Sequence, residues 1–317
     1  MVRIEPWRRF PAVILPILAV ALVYYASARL GLQHRVVVEG AIVTPLWPPT
    51  GVAVACLLWL GIRVWPGIAL GTYLAIQQIT AFDAPGLGIV AGNTLAPLCA
   101  YLLLRRVGFR IELDRLRDGL ALVFLGGLVP MLISASAGTG TLLLTGDLPA
   151  ADFWPTWWAW WAGDAMGVLI VTPVLLVLPT LRWPADAYRV AEAVVLLAAA
   201  VGVTLLVTQS TLSLLFLVFP LLIWAAVRFQ LAGSAPCALI ISVVAISAAI
   251  AREGPFAGRT LFEIMVNLQA LNGAAALTGL LLSALVTEQN NVRLKIEQVC
   301  EDLAELVDQL SRGRPDR

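Results

Sequence analysis

Trp154-Pro155-Thr156-Trp157-Trp158-Ala159-Trp160-Trp161-Ala162-Gly163-Asp164-Ala165-Met166-Gly167-Val168-Leu169-Ile170-Val171-Thr172-Pro173 carries one carboxylate, Asp164, into an otherwise apolar run. At about 1.5 Å per helical residue, Asp164 lies roughly 15 Å inward from the first tryptophan. A charge at the centre of a bilayer costs about 2.5 to 3.5 kcal/mol even on the mild insertion scales. Such a group needs a partner or a polar cavity. Trp154, Trp157, Trp158, Trp160 and Trp161 fit the aromatic belt that anchors a span at the headgroup level. Asp164 is either a hydrogen-bonded packing residue or a sensing or transport group.

The rest of the chain agrees with a membrane setting. Of 317 residues, 60% are hydrophobic and 13% charged, a surplus of apolar surface that water would not tolerate, so the fold class is an all-α polytopic membrane bundle. A nucleic-acid footprint is absent from this composition. Cys56, Cys99, Cys237 and Cys300 stand singly, which gives neither a disulfide framework nor metal-ligand spacing. His34 is the only histidine and reads as a solvated loop residue. No metal or cofactor is implied, and no catalytic constellation marks the chain as an enzyme.

Apolar runs of spanning length occur near 11–30, 49–61, 64–81, 86–104, 118–144, 156–180, 190–208, 211–227, 233–251 and 261–286. The first resembles a signal peptide with an Ala26-Ser27-Ala28 site but is expected to stay as a span, because many spans follow it. Basic residues test the count of ten through the positive-inside rule. Alternate connections gather seventeen of the twenty-one, and only Arg29, Arg35, Arg252 and Arg259 fall in the other set. Ten spans with both termini in the cytoplasm explain this split.

The second run is too short. Thr50 to Arg63 gives roughly 20 Å of helix against a hydrocarbon core of about 30 Å. Just before it, Trp47-Pro48-Pro49-Thr50-Gly51 removes two backbone donors and forces the preceding residues out of the helical region. A broken or re-entrant segment is expected near 44–51, and irregular backbone at membrane depth must be buried in protein or line a wet cavity. The alternative is a proline-ended loop at the interface.

Small residues recur at helix-packing spacing in Gly67, Gly71 and Ala75, in Gly88, Gly92 and Ala96, and in Ala159, Gly163 and Gly167. These rows are assigned to close helix contacts. Asn93-Thr94, Gln77-Gln78, Ser134-Ala135-Ser136 and Glu263 with Asn267 are polar groups set in apolar spans. With ten spans, all fall in the outer half of the bilayer and are expected to converge with Asp164 and the broken segment on one outward-facing pocket.

Beyond Val286, residues Val292, Ile296, Val299, Leu303, Leu306 and Leu310 step by four and three, the spacing of a coiled-coil seam. The expected organisation is a cytoplasmic N-terminus over 1–10, a membrane domain over 11–286, a signalling helix over 287–311 that pairs as a parallel homodimer through 292–310, and a disordered tail over 312–317. An amphipathic helix lying on another cytoplasmic surface is the alternative.

Several motifs together resemble the bacterial membrane-associated sensor domain of the first type, the input module of histidine kinases and diguanylate cyclases. They are Trp47-Pro48-Pro49-Thr50-Gly51, Arg63-Val64-Trp65-Pro66-Gly67 with Gly71, Gly92-Asn93-Thr94-Leu95, Leu113-Asp114-Arg115-Leu116-Arg117-Asp118, and Trp160-Trp161-Ala162-Gly163-Asp164-Ala165-Met166-Gly167-Val168. The family commonly has a glutamate after Asn-Thr-Leu. This chain has Ala96-Pro97, leaving Asp164 as the deeper acid. The resemblance implies a sensory function with a kinase or cyclase output. A small-molecule ligand from the periplasmic side is expected to contact Trp47, Thr50, Asn93, Trp161, Asp164 and Asn267. A secondary transporter is the competing reading, since a broken helix and an intramembrane acid also suit a carrier. The heptads that follow the last span favour the sensor.

Overall fold

The computed structural model describes residues 10–33, 36–38, 41–79, 84–181, 186–210, 212 and 214–312. The expectations for His34, Arg35, the first nine residues and residues 313–317 lie outside the described residues.

Helices α1 (Phe10–Leu32), α2 (Pro48–Leu60), α3 (Trp65–Ile76) and α4 (Ala84–Arg106) form the first half of the bundle. Between α1 and α2 stands a short antiparallel hairpin, β1 (Val36–Val38) with β2 (Ala41–Val43), paired Val36 to Val43. The apolar runs do not foreshadow this hairpin, and the other regular elements of the described chain are helices. Next come α5 (Leu116–Ala121), a π-helical stretch Leu122–Leu128, α6 (Met131–Thr145), α7 (Phe153–Met166), a second π-helical stretch Gly167–Val171, and α8 (Thr172–Val177). Helices α9 (Ala187–Gln209), α10 (Phe219–Ala251) and α11 (Leu261–Arg312) complete it.

Seven helical stretches are, by length and composition, long and apolar enough to cross a membrane, and α2 and α3 are shorter apolar helices. Helix α10 is two limbs. Gln230 leaves helical geometry at φ 48, ψ −137, and a Cβ placed on Gly233 would lie 3.1 Å from the carbonyl oxygen of Ala225. In a straight helix these residues would be about 12 Å apart along the axis, so the chain doubles back at Gln230. Limbs 219–229 and 231–251 match two separate runs expected from the sequence.

The middle of the bundle is α2. Its residues Pro49 to Leu57 are all buried, and it touches α1, α4, α7, α8 and the π-helical stretch Gly167–Val171. A helix enclosed this way does not need to be long, because protein rather than lipid surrounds it. The bundle has a hairpin end, with β1, β2 and Arg252, and an arginine-rich end, where Arg228 pairs with Glu192 at 2.7 Å and where the α4–α5 connection lies.

The small-residue rows do close packing, as their spacing implies. Gly67 and Gly71 of α3 face Ile17, Val20 and Tyr24 of α1, and Gly92 of α4 faces Ala137 and Ser134 of α6. The row on α7 has a different neighbour. A Cβ on Gly163 would strike the carbonyl oxygen of Thr44, one on Gly167 that of Trp47, and one on Gly51 the carbonyl oxygen of Gly167. The irregular segment therefore lies backbone to backbone on this face.

Gly51→Ala is expected to lower the thermal unfolding midpoint in detergent micelles, since overpacking against backbone that cannot yield costs about 1 to 3 kcal/mol. Gly202→Ala, where a Cβ meets nothing within 4 Å, should leave the midpoint unchanged or raise it, because alanine suits a helix interior better by about 0.5 to 1 kcal/mol.

Candidate functional site

Pro48 and Pro49 open α2, and Trp47 before them is extended at φ −106, ψ 91, as a residue preceding proline should be. Residues 44–47 are irregular, yet Thr44 is 7% and Leu46 6% exposed. Backbone buried this way must find partners. Trp47 N–H donates to the Gly163 carbonyl at 3.0 Å, and the Gln269 side-chain amide of α11 donates to the Pro45 carbonyl at 2.9 Å. The broken segment is thereby tied to both α7 and α11.

At its helical end, Thr50 Oγ1 donates to Asp164 Oδ1 at 2.7 Å. Asp164 is 1% exposed. Thr172 Oγ1, one residue past the π-helical stretch, donates to the Gly51 carbonyl at 3.0 Å. Two hydroxyl bonds and one amide bond thus fasten α2 and its lead-in to the α7–α8 rod. Ser134 of α6 and Trp160 of α7 also face the carboxylate. Even so, Asp164 Oδ2 and Ser134 Oγ have no hydrogen-bond partner among the described residues.

Asp118 and Asp164 are the charged residues buried among those described, and they differ in one respect. Asp118 takes a two-pronged bond from Arg115, at 2.7 Å and 3.0 Å. Asp164 has no ion pair among the described residues, and the Thr50 and Ser134 hydroxyls and the Trp160 indole face it. A buried carboxylate without a cation and with one oxygen unpartnered holds a large unmet demand for a proton, a cation or a donor.

The other expected site residues spread out. Asn93 is 6% exposed, but its amide donates to the Ile89 carbonyl of its own helix at 3.1 Å. Its neighbour Gly92 packs on Ser134. Trp161 donates to the Leu128 carbonyl at 2.8 Å. That carbonyl is released because Leu132 N–H turns to Val129 instead, where the π-helical stretch gives way to α6 at Pro130. Trp160, beside Trp161 in sequence, lays its ring against Gly138 of α6 and faces Asp164.

Asn267 is half-buried on α11. At 100° per residue it lies about 160° around the helix from Gln269, which meets the broken segment, so the structure does not bring Asn267 to the acid. Glu263 accepts from Thr260 N–H at 2.8 Å while its own N–H reaches Thr260 Oγ1 at 3.3 Å, a capping box that starts α11. Gln78 accepts from Arg29 at 3.0 Å on the exposed rim. The structure brings the Trp47 backbone, Thr50 and Ser134 to Gly163 and Asp164 of α7, while Asn93, Glu263 and Gln78 hydrogen-bond elsewhere and Asn267 lies on another face of α11 from Gln269.

Sequence reasoning missed Gln269, Thr172 and Asn272. Asn272 is fully buried with both amide atoms unpartnered among the described residues, and Gly273 beside it approaches Met166 of α7. The available signal was an Asn and a Gln inside the apolar part of α11. At the hairpin end a cleft of about 170 Å³ opens beside Pro45, between Ala249, Arg252, Met265 and Leu268.

These features describe a multi-pass helical membrane domain with a broken segment locked to a buried acid and a last helix that runs far beyond the bundle. The chain belongs to the MASE1 family, membrane-associated sensor domains found in histidine kinases and diguanylate cyclases, whose family model matches residues 16–290. The probable diguanylate cyclase DgcE of Escherichia coli (strain K12) is 29% identical over 201 residues, covering 60% of this chain and 17% of that protein. The match therefore spans about a sixth of that relative's length. No solved structure matches the chain.

Thr50→Val is expected to destabilise the fold by about 1.5 to 3 kcal/mol, the value of a hydrogen bond to a charged group, while Thr50→Ser stays near the parent. In an Asp164→Asn background the Thr50→Val loss should shrink. Chemical unfolding of the four proteins as a double-mutant cycle reads the coupling directly.

Proposed function

We propose that this domain is a receptor whose state is set at the joint between Asp164 and Thr50. The observation that carries this reading is the 2.7 Å bond between those two side chains, made by a buried acid with one oxygen still unpartnered. A ligand offering a cation or a hydrogen-bond donor would meet that oxygen, loosen Thr50 and release the start of α2. Trp47, Thr50, Ser134, Trp160 and Asp164 form its contact set, and the cleft beside Pro45 is its approach.

The segment over 11–286 crosses a bacterial inner membrane ten times in this reading, with α2, α3 and both limbs of α10 counted as crossings. The arginine-rich end lies in the cytoplasm together with both termini, as the positive-inside rule favours. The ligand comes from the periplasmic side. Helix α11 then carries the signal, because it touches the broken segment through Gln269 and α7 through Gly273. Residues 287–311 pair with a second copy through 292–310, and a diguanylate cyclase or histidine kinase is the output. Full switching from 1:99 to 99:1 requires the ligand to prefer one state by about 5.5 kcal/mol.

The test is a reporter cyclase fused after Leu310. Asp164→Asn and Thr50→Val should both shift its basal output in the same direction, at normal membrane levels of the fusion, because both release one joint. Trp154→Phe, on the exposed belt, should not. Output equal to the parent in both joint variants, with the protein intact, removes the receptor reading.

A further inference from the structure

The connection between α4 and α5 is a built structure at the arginine-rich end. Its centre is Asp118, 1% exposed, which takes the Arg115 fork and the backbone N–H of Arg110 at 3.3 Å. Arg115 also reaches the Gly108 carbonyl and Arg117 the Val107 carbonyl. Leu113 tucks under the loop at 2% exposure, with its backbone in the left-handed region at φ 50. A loop held by this many bonds keeps one shape.

That shape meets the last helix. The backbone N–H of Leu116, the first residue of α5, donates to Glu288 Oε2 at 2.9 Å across 172 residues of sequence. Gly119, one turn on, packs on Leu281 and Ala284. Leu281, Ala284 and Glu288 step by three and four and so share one face of α11. From Glu288 the apolar positions Val292, Ile296, Val299, Leu303 and Leu306 follow by steps of four, four, three, four and three, which at 100° per residue keeps all five within about 80° of Glu288 on one side of the helix. Each of these five is more than half exposed. The face that α5 covers as far as Glu288 is thus continued by apolar side chains on a stretch of α11 that the bundle leaves bare.

We propose that the Glu288–Leu116 joint is a register clasp: it fixes the rotation at which α11 leaves the bundle, and thereby which side chains a second copy of this chain meets. The proposal rests on the dimer reading above. The bilayer holds two copies parallel, and a heptad stripe of this kind is self-complementary, so the same face of each copy meets across a two-fold axis. In that arrangement the loops 107–118 of the two copies flank the fork where the helices join. Glu288 is a positioning residue. It makes no contact with a ligand and acts through the angle of the helix below it.

Single cysteines placed through 295–307 of the full chain, with Cys300→Ser and the other native cysteines replaced, report this rotation by oxidative crosslinking in native membranes. In the parent, crosslinked yield should peak at Ile296→Cys, Val299→Cys, Leu303→Cys and Leu306→Cys. Glu288→Ala should move or flatten these peaks, so that the ratio of seam to off-seam yield falls severalfold. Glu288→Gln, which still offers an oxygen to Leu116, should keep the parent pattern. Parent peaks unchanged in Glu288→Ala overturn the clasp and leave the dimer standing, since a mere cap on α5 would alter stability without altering rotation. A parent with no periodicity overturns the dimer and the clasp together.

Discussion

Irregular backbone inside a membrane protein has to be answered by protein, since lipid offers no hydrogen bonds, and this demand organises the domain. The two prolines at 48 and 49 hold Trp47 out of the helical region, at the end of the irregular stretch 44–47. Their polar groups are then met by Gly163 of α7 and Gln269 of α11. Contact this close requires a surface without side chains, which the glycines at 51, 163 and 167 supply. Once the backbones touch, Thr50 falls within reach of Asp164, and a carboxylate that would be costly alone gains one strong bond. The acid, the glycines and the prolines are parts of one constraint.

The two π-helical stretches, Leu122–Leu128 and Gly167–Val171, lie in contact with one another. Such stretches shift the phase of a helix and often mark functional positions. Here the first frees the Leu128 carbonyl that holds Trp161, and the second precedes Thr172, which bonds the carbonyl of Gly51. Both therefore place side chains that brace the rod carrying Asp164. The tryptophans divide accordingly. Trp154 and Trp158 are exposed in the manner of interface anchors, while Trp157 bonds Ser136 and Trp161 bonds Leu128.

Helix α11 links the two ends of the molecule. It runs without a break from Leu261 to Arg312, held near the broken segment by Gln269 and near the arginine-rich end by Glu288. These two contacts tie the broken segment and the α4–α5 connection to one continuous helix.

The sequence by itself determined the membrane class, most helix limits to within a few residues, the break before α2, the heptad stripe and the need of Asp164 for a partner. These follow from local properties: apolar length, proline chemistry, periodicity and the cost of a buried charge. Tertiary structure alone decided that the partner is Thr50, 114 residues away, that Trp160 and not Trp161 stands beside the acid, that Gln269 and not Asn267 meets the broken segment, and that the chain reverses at Gln230. In a soluble helix the polar stripe tells which face points outward. These helices are apolar all round, so sequence is silent about which face meets lipid and which meets protein, and a one-residue step around the helix separates a site residue from a packing residue.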